Sequence, residues 1–127
     1  MEYLCVPYLN LHSHYRLLIL VVSAARETKE RQILRNRFSR FSNQNIRFLF
    51  VIASDPAFND EVKRESISSE DILQLNHIDS YHNLTLTTFG AFQYISHFSN
   101  IADYVMKTDS DCALNNNRML QIIGSLS

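Results

Sequence analysis

The chain has 127 residues, 46% of them hydrophobic and 20% charged, a length and composition that suit one packed domain rather than a disordered chain. Twelve basic against thirteen acidic side chains leave a formal charge of −1, so no basic excess points to nucleic acid or an anionic membrane as partner. The two glycines, Gly90 and Gly124, lie too far apart for a P-loop or a G-x-G-x-x-G cradle, and a nucleotide would have to be held another way.

Residues 1–14 read as an N-terminal extension, and 15–127 as one domain with no repeat, linker or low-complexity tract. Tyr15 to Ser23 (YRLLILVVS) is a continuous apolar run rich in β-branched residues, as a buried strand requires. Glu27 to Phe41 reads as a helix, with Ile33, Leu34, Phe38 and Phe41 at helical spacing and Lys29, Arg31 and Arg35 on other faces. Ser42 to Asn45 breaks it, and Ile46 to Ala53 (IRFLFVIA) is a second buried strand closed by Ser54-Asp55-Pro56. Asn59 to Glu65 is charged enough for an exposed helix, and Asp71 to Leu75 is a short third strand. A helix runs from about Asn83 to His97, with Leu86, Phe89, Phe92 and Ile95 expected on its buried side. Ala102 to Lys107 is a fourth strand, and Asn115 to Asn117 can cap a last helix using Met119, Leu120 and Ile123. Strands alternating with helices predict an α/β fold: a mostly parallel sheet with helices on both faces.

Compartment is weakly marked. Cys5 and Cys112 are too few for a disulfide framework and form no C-x-x-C pair. The longest apolar run, Leu17 to Val22, falls far short of the ~20 residues that span a bilayer. The opening MEYLCVPYLNLHSH lacks the basic-then-apolar layout of a secretory signal. The chain as given therefore reads as soluble, unless its start lies upstream of Met1.

The sharpest chemical feature is Asp109-Ser110-Asp111 after the fourth strand. Ligands of open α/β sheets bind beyond the carboxyl ends of the strands. In an extended segment two carboxylates one residue apart point the same way, and such a pair suits a hard divalent cation that also takes phosphate oxygens. The alternative is a pair of solvated turn residues capping the following helix. A phosphatase of the haloacid dehalogenase type also uses D-x-D. It places the motif after its first strand with Thr or Val two residues on, where this chain has Ala113. Arg31 and Arg35, one turn apart, could meet an anion together; as a solvated face, Arg31 would pair with Glu27. His12 and His14 resemble a metal pair on a strand but have no third ligand nearby, His77, His82 and His97 show no ligand spacing, and all five read as structural or surface residues. Asn83-Leu84-Thr85 is a glycosylation sequon, but at the start of an apolar helix Asn83 reads as structural or ligand-facing.

In order, these segments resemble the β-1,3-galactosyltransferase family (glycosyltransferase family thirty-one) from about Arg16 to Ile123. The matching pieces are Leu17–Ala24, then Arg31-Gln-Ile-Leu-Arg35 for R-x-x-I-R. Glu65-Ser66, Asp71–Gln74 and Asp79–Leu86 follow for E-S … D-I-L-Q … D-S-Y-x-N-L-T. Lys107–Asp111 with Asn115 stands for K-T-D-D-D … N. The resemblance implies a GT-A fold binding a UDP-sugar with Mn²⁺ near the D-x-D motif, and transfer of a hexosyl unit to a glycan acceptor with inversion. It assigns Asp111 and Asp109 to the metal, and Arg31, Arg35, Asn83, Lys107 and Asp109 to the donor. It also implies a membrane-anchored full-length protein on the lumenal side of the Golgi, acting in protein glycosylation. Three departures stand out: Arg37-Phe38 replaces Thr-Trp, Thr87 replaces a lysine, and Ser110 replaces the middle Asp. The family's later E-D-V motif, where the base is expected, has no counterpart before Ser127, so the chain reads as the donor-binding part of a longer enzyme. The alternative is a non-catalytic α/β binding module that kept the fold without the reaction.

Overall fold

A computed structural model describes residues 2–10, 13–78, 84–98, 100–115 and 121. Ten elements follow in order: β1 (Tyr3–Cys5), β2 (Tyr15–Val22), α1 (Thr28–Phe38), a 3-10 segment (Ser39–Gln44), β3 (Ile46–Ser54), α2 (Asn59–Ser69), β4 (Ile72–Ile78), α3 (Leu84–Ser96), β5 (Ala102–Asp109) and α4 (Ser110–Leu114). The four strands expected from sequence are present, and β4 and β5 run further than expected because β3 and β2 supply partners out to Ile78 and Asp109. With glycine scarce, the 3-10 segment and α2 end on Asn45 and Glu70 in the left-handed conformation.

The sheet order is β1-β4-β3-β2-β5, with β2 to β5 mutually parallel and β1 antiparallel on the β4 edge. This is the α/β architecture expected. The N-terminal segment, read from sequence as an extension, contributes β1, and Leu9 is buried against the sheet. Three residues carry too little periodicity for the strand to show in the sequence.

Alternate residues of the central strands serve two cores. Leu17, Ile19, Val21, Phe48, Phe50 and Ile52 face α1, α2 and α4 through Leu34, Phe38, Val62 and Ala113. Leu18, Leu20, Leu49, Val51 and Leu73 face α3 through Ala91 and Ile95. The central strands are thus apolar on both sides, which is why they read as unbroken hydrophobic runs.

The helix faces correct two expectations. On α3, Leu86 is 46%, Phe89 60% and Phe92 41% exposed, and the buried residues among those described are Thr87, Gly90, Ala91 and Ile95. A run of i,i+3 steps precesses by about 60° per step, so Leu86 and Ile95 fall on opposite sides of the helix; the i,i+4 series holds the buried face. On α1, Ile33 is exposed while Arg31 joins Leu34 and Phe38 on the buried side. No helix among the described residues is long and apolar enough to cross a membrane.

Candidate functional site

From β2 the chain steps outward through β3 to β4, whereas β5 returns to the other flank of β2. The sheet therefore has a topological switch point between β2 and β5, and ligands of open α/β sheets bind in the crevice beyond the carboxyl ends there. Val22 at the end of β2 is in register with Asp109 at the end of β5. The Asp109-Ser110-Asp111 motif thus occupies the edge at which a ligand is expected.

The backbone at the motif differs from the extended D-x-D expected. β5 ends at Asp109, which stands at the N-cap position of α4 without a side-chain capping bond, and Asp111 lies in the first turn of that helix. Period-two alternation no longer aligns the carboxylates once Ser110 turns the chain. Both acidic side chains remain open to solvent: Asp109 is 68% exposed and Asp111 is exposed. The Lys107 ammonium, two residues back on the same face of β5, lies 3.3 Å from Asp109 Oδ1. Lys107 also borders an open depression of about 420 Å³ with Thr85, Thr88 and Phe89 of α3.

The other flank is the exit of β2. Arg31 is 0% exposed and holds this loop from within. Its Nη1 donates to Ser23 Oγ at 2.9 Å and the Ala24 carbonyl at 2.6 Å, and Nη2 donates to the Ala25 carbonyl at 2.9 Å. Glu65 of α2 receives Nε at 2.7 Å and Nη2 at 2.8 Å, a two-pronged ion pair. The solvated face with a Glu27–Arg31 pair is therefore corrected: Arg31 pairs with Glu65. Glu27 instead accepts from the Ala24 amide at 2.7 Å and from Ser110 Oγ at 3.2 Å. One continuous polar chain runs from Glu65 through Arg31 and the β2 exit to Glu27 and the acidic motif.

Arg35 is brought to Arg31 but not to the acidic motif. It bonds Glu65 at 2.7 Å and Asp71 at 2.8 and 2.9 Å. Its guanidinium lies 5.0 Å from the centre of the Phe50 ring, and it borders a cleft with Ile46 and Asp71 toward the amino ends of β3 and β4. Burial works against the Glu65 charge, but the hydrogen bonds from Arg31 and Arg35 outweigh it and hold the carboxyl below its ordinary value. Thr87, at the family's lysine position, is buried with its hydroxyl 2.7 Å from His77 Nε2. Asn83, Tyr81, His82, His12 and the expected helix residues Met119, Leu120 and Ile123 lie outside the described residues.

Sequence reasoning missed Glu27, Ser23 and Asp71 as partners in this network. The available signal was Arg31 at i−3 from Leu34 and i−7 from Phe38, which puts a cation on the apolar stripe where only paired charge is tolerated. Among the described residues no three His, Cys, Asp or Glu side chains gather as a metal site. Asp109 and Asp111 do offer hard oxygen donors suited to a cation that draws its remaining ligands from phosphate and water.

A family model described as Galactosyltransferase matches residues 29–126. Beta-1,3-galactosyltransferase 1 of Mus musculus and of Homo sapiens is 37% identical over 109 residues, covering 82% of this chain and 33% of theirs. Beta-1,3-galactosyltransferase 5 of Pan troglodytes is 31% identical over 112 residues, 84% of this chain and 38% of that protein. UDP-GalNAc:beta-1,3-N-acetylgalactosaminyltransferase 1 of Homo sapiens is 29% identical over 124 residues, 91% of this chain and 38% of that protein. The chain spans about a third of the length of these curated relatives.

Proposed function

The chain belongs to the galactosyltransferase family, and from that premise we propose that residues 15–127 form the donor-binding part of a hexosyltransferase. The transfer we infer moves a hexosyl unit from a UDP-sugar to a glycan acceptor with inversion, as part of protein glycosylation at the lumenal face of Golgi membranes. The observation that carries the reading is the pair of exposed carboxylates, Asp109 and Asp111, on the turn at the switch point beside the β2 exit. The relatives named above act on galactosyl or N-acetylgalactosaminyl units, one of them by its name from UDP-GalNAc.

Asp109 and Asp111 would hold a divalent cation, Mn²⁺ in our reading. Bound there, the cation supplies charge neutralisation for the diphosphate as it departs. The chain's own residues supply the rest. Lys107, beside Asp109, is placed to meet a phosphate oxygen once the pair opens. Arg31 shapes the donor edge indirectly: fully buried, it fixes the Ser23 hydroxyl and the Ala24 and Ala25 carbonyls instead of touching ligand. Arg35 supports Glu65 and thereby Arg31, and Asn83 is kept as a donor-contact residue on the resemblance alone.

Calorimetry of the folded chain with UDP, with and without Mn²⁺, tests the reading. UDP affinity should rise with Mn²⁺, and Asp111→Asn should remove the metal-dependent part. A folded sample with no metal-linked UDP affinity overturns it.

A further inference from the structure

The geometry points to Glu27 as the positioning residue of the acidic turn, acting through Ser110. This inference rests on the donor-site reading.

Glu27 occupies the N-cap position of α1, yet its carboxylate makes no capping bond to its own helix. It reaches back to the Ala24 amide at 2.7 Å and across to Ser110 Oγ at 3.2 and 3.4 Å. Ala24 is also held by Arg31, through its carbonyl at 2.6 Å. Glu27 is therefore bonded to the loop at the end of β2 that Arg31 holds, and Ser110 is bonded to Glu27. Ser110 is 7% exposed and lies between Asp109 and Asp111, at the residue where β5 gives way to α4. The bond sets where the turn begins, and with it the direction in which each flanking carboxylate leaves the backbone.

The pair also gives a reason for the serine. A carboxylate acceptor at 27 calls for a donor at 110, which a hydroxyl supplies and an ionised Asp does not. Placing Asp at 110, as the K-T-D-D-D pattern has it, would set two carboxylates against each other in a largely buried contact. Shortening 27 to Asn while lengthening 110 to Asp keeps the combined reach and reverses the roles: the Asn amide donates and the Asp accepts.

The test measures Mn²⁺-linked UDP affinity by calorimetry and thermal unfolding in parallel, on the full chain and three variants. Ser110→Ala should weaken metal-linked UDP binding about fivefold to tenfold, the scale of one lost hydrogen bond. Ser110→Asp should weaken it further. The double variant Glu27→Asn with Ser110→Asp should recover most of the loss, a coupling that independent sites do not show. Variants that shift only the melting temperature, or a double variant no better than Ser110→Asp, overturn the inference and leave the donor reading standing. If the unaltered chain shows no metal-linked UDP affinity, the donor reading fails and the positioning role falls with it.

Discussion

Replacing Arg31 by Met keeps most of the side-chain length and its apolar stem while removing the charge. The loss is large because the guanidinium is fully buried and every described contact is directional. Glu65 keeps Arg35 at 2.7 Å, so its charge is not abandoned, which argues for the lower part of the range for a broken buried pair. Against that, the Ala24 and Ala25 carbonyls and the Ser23 hydroxyl lose a buried donor, and orphaned groups cost about 1–3 kcal/mol each when water does not reach them. Together these place Arg31→Met about 3–5 kcal/mol below the unaltered chain. With an unfolding entropy near 2 cal/mol/K per residue, that corresponds to a fall in Tm of roughly 10–20 °C. Urea titration followed by circular dichroism measures the free energy, and a thermal scan measures Tm. A Met variant within about 1 kcal/mol of the parent would refute the reasoning, since surface substitutions seldom exceed that.

The Glu65 carboxyl, lowered by Arg31 and Arg35 against the opposing effect of burial, contributes stability that is present above its unfolded value of about 4.3. That contribution is lost as pH falls through the depressed folded value, so urea midpoints below pH ~4 should drop more for the parent than for Glu65→Gln, and parallel curves would count against the pairing. His14 behaves in the opposite sense. Its ring nitrogens face the Asn100 carbonyl at 2.6 Å and Asp103 Oδ1 at 2.7 Å, two acceptors that favour the imidazolium and raise its pKa, the Asn100 bond most. Its contribution is full below about pH 6.5 and fades as pH rises through the raised folded value; His14→Gln should flatten the stability profile above neutrality, and an unchanged slope would remove His14 from the account. On α3, Ala91→Leu should destabilise by about 1–3 kcal/mol through overpacking, and Phe89→Gln should stay within about 0.5 kcal/mol. Denaturant midpoints of these two variants check the helix orientation, and reversed costs would show it wrong.

The part of the candidate site that was legible in the sequence is the part whose residues are neighbours in the chain. Asp109, Ser110 and Asp111 are consecutive, and their place at a strand end follows from the apolar run before them. Glu27 and Ser110 are 83 residues apart, and Arg31 and Glu65 are 34 apart. Neither pairing leaves a periodic trace. Arg31 illustrates the failure: as one more arginine on a charged helix it reads as solvated, and only the arrival of Glu65 and of the loop after β2 around its guanidinium makes it interior. Leu86, Phe89 and Phe92 mislead in the reverse way, since an apolar stripe at i,i+3 does not say which side meets the sheet.

The sequence alone determined the local terms: where the four parallel strands lie, because continuous apolar runs of that length have few other uses, and that two acidic side chains stand one residue apart at the end of one of them. Its ordered motifs also pointed to the family. Tertiary structure decided which strands are neighbours, and so that the ends of β2 and β5 meet at the switch point. It also decided which charges are interior and which helix face is wet. The physical reason is that hydrogen-bonding pattern and side-chain period are properties of consecutive residues, whereas burial and ion pairing depend on which distant segment arrives opposite. For this chain, the acidic turn is written in three adjacent residues, and the loop that holds it is braced by Arg31 of α1 and, through it, by Glu65 of α2.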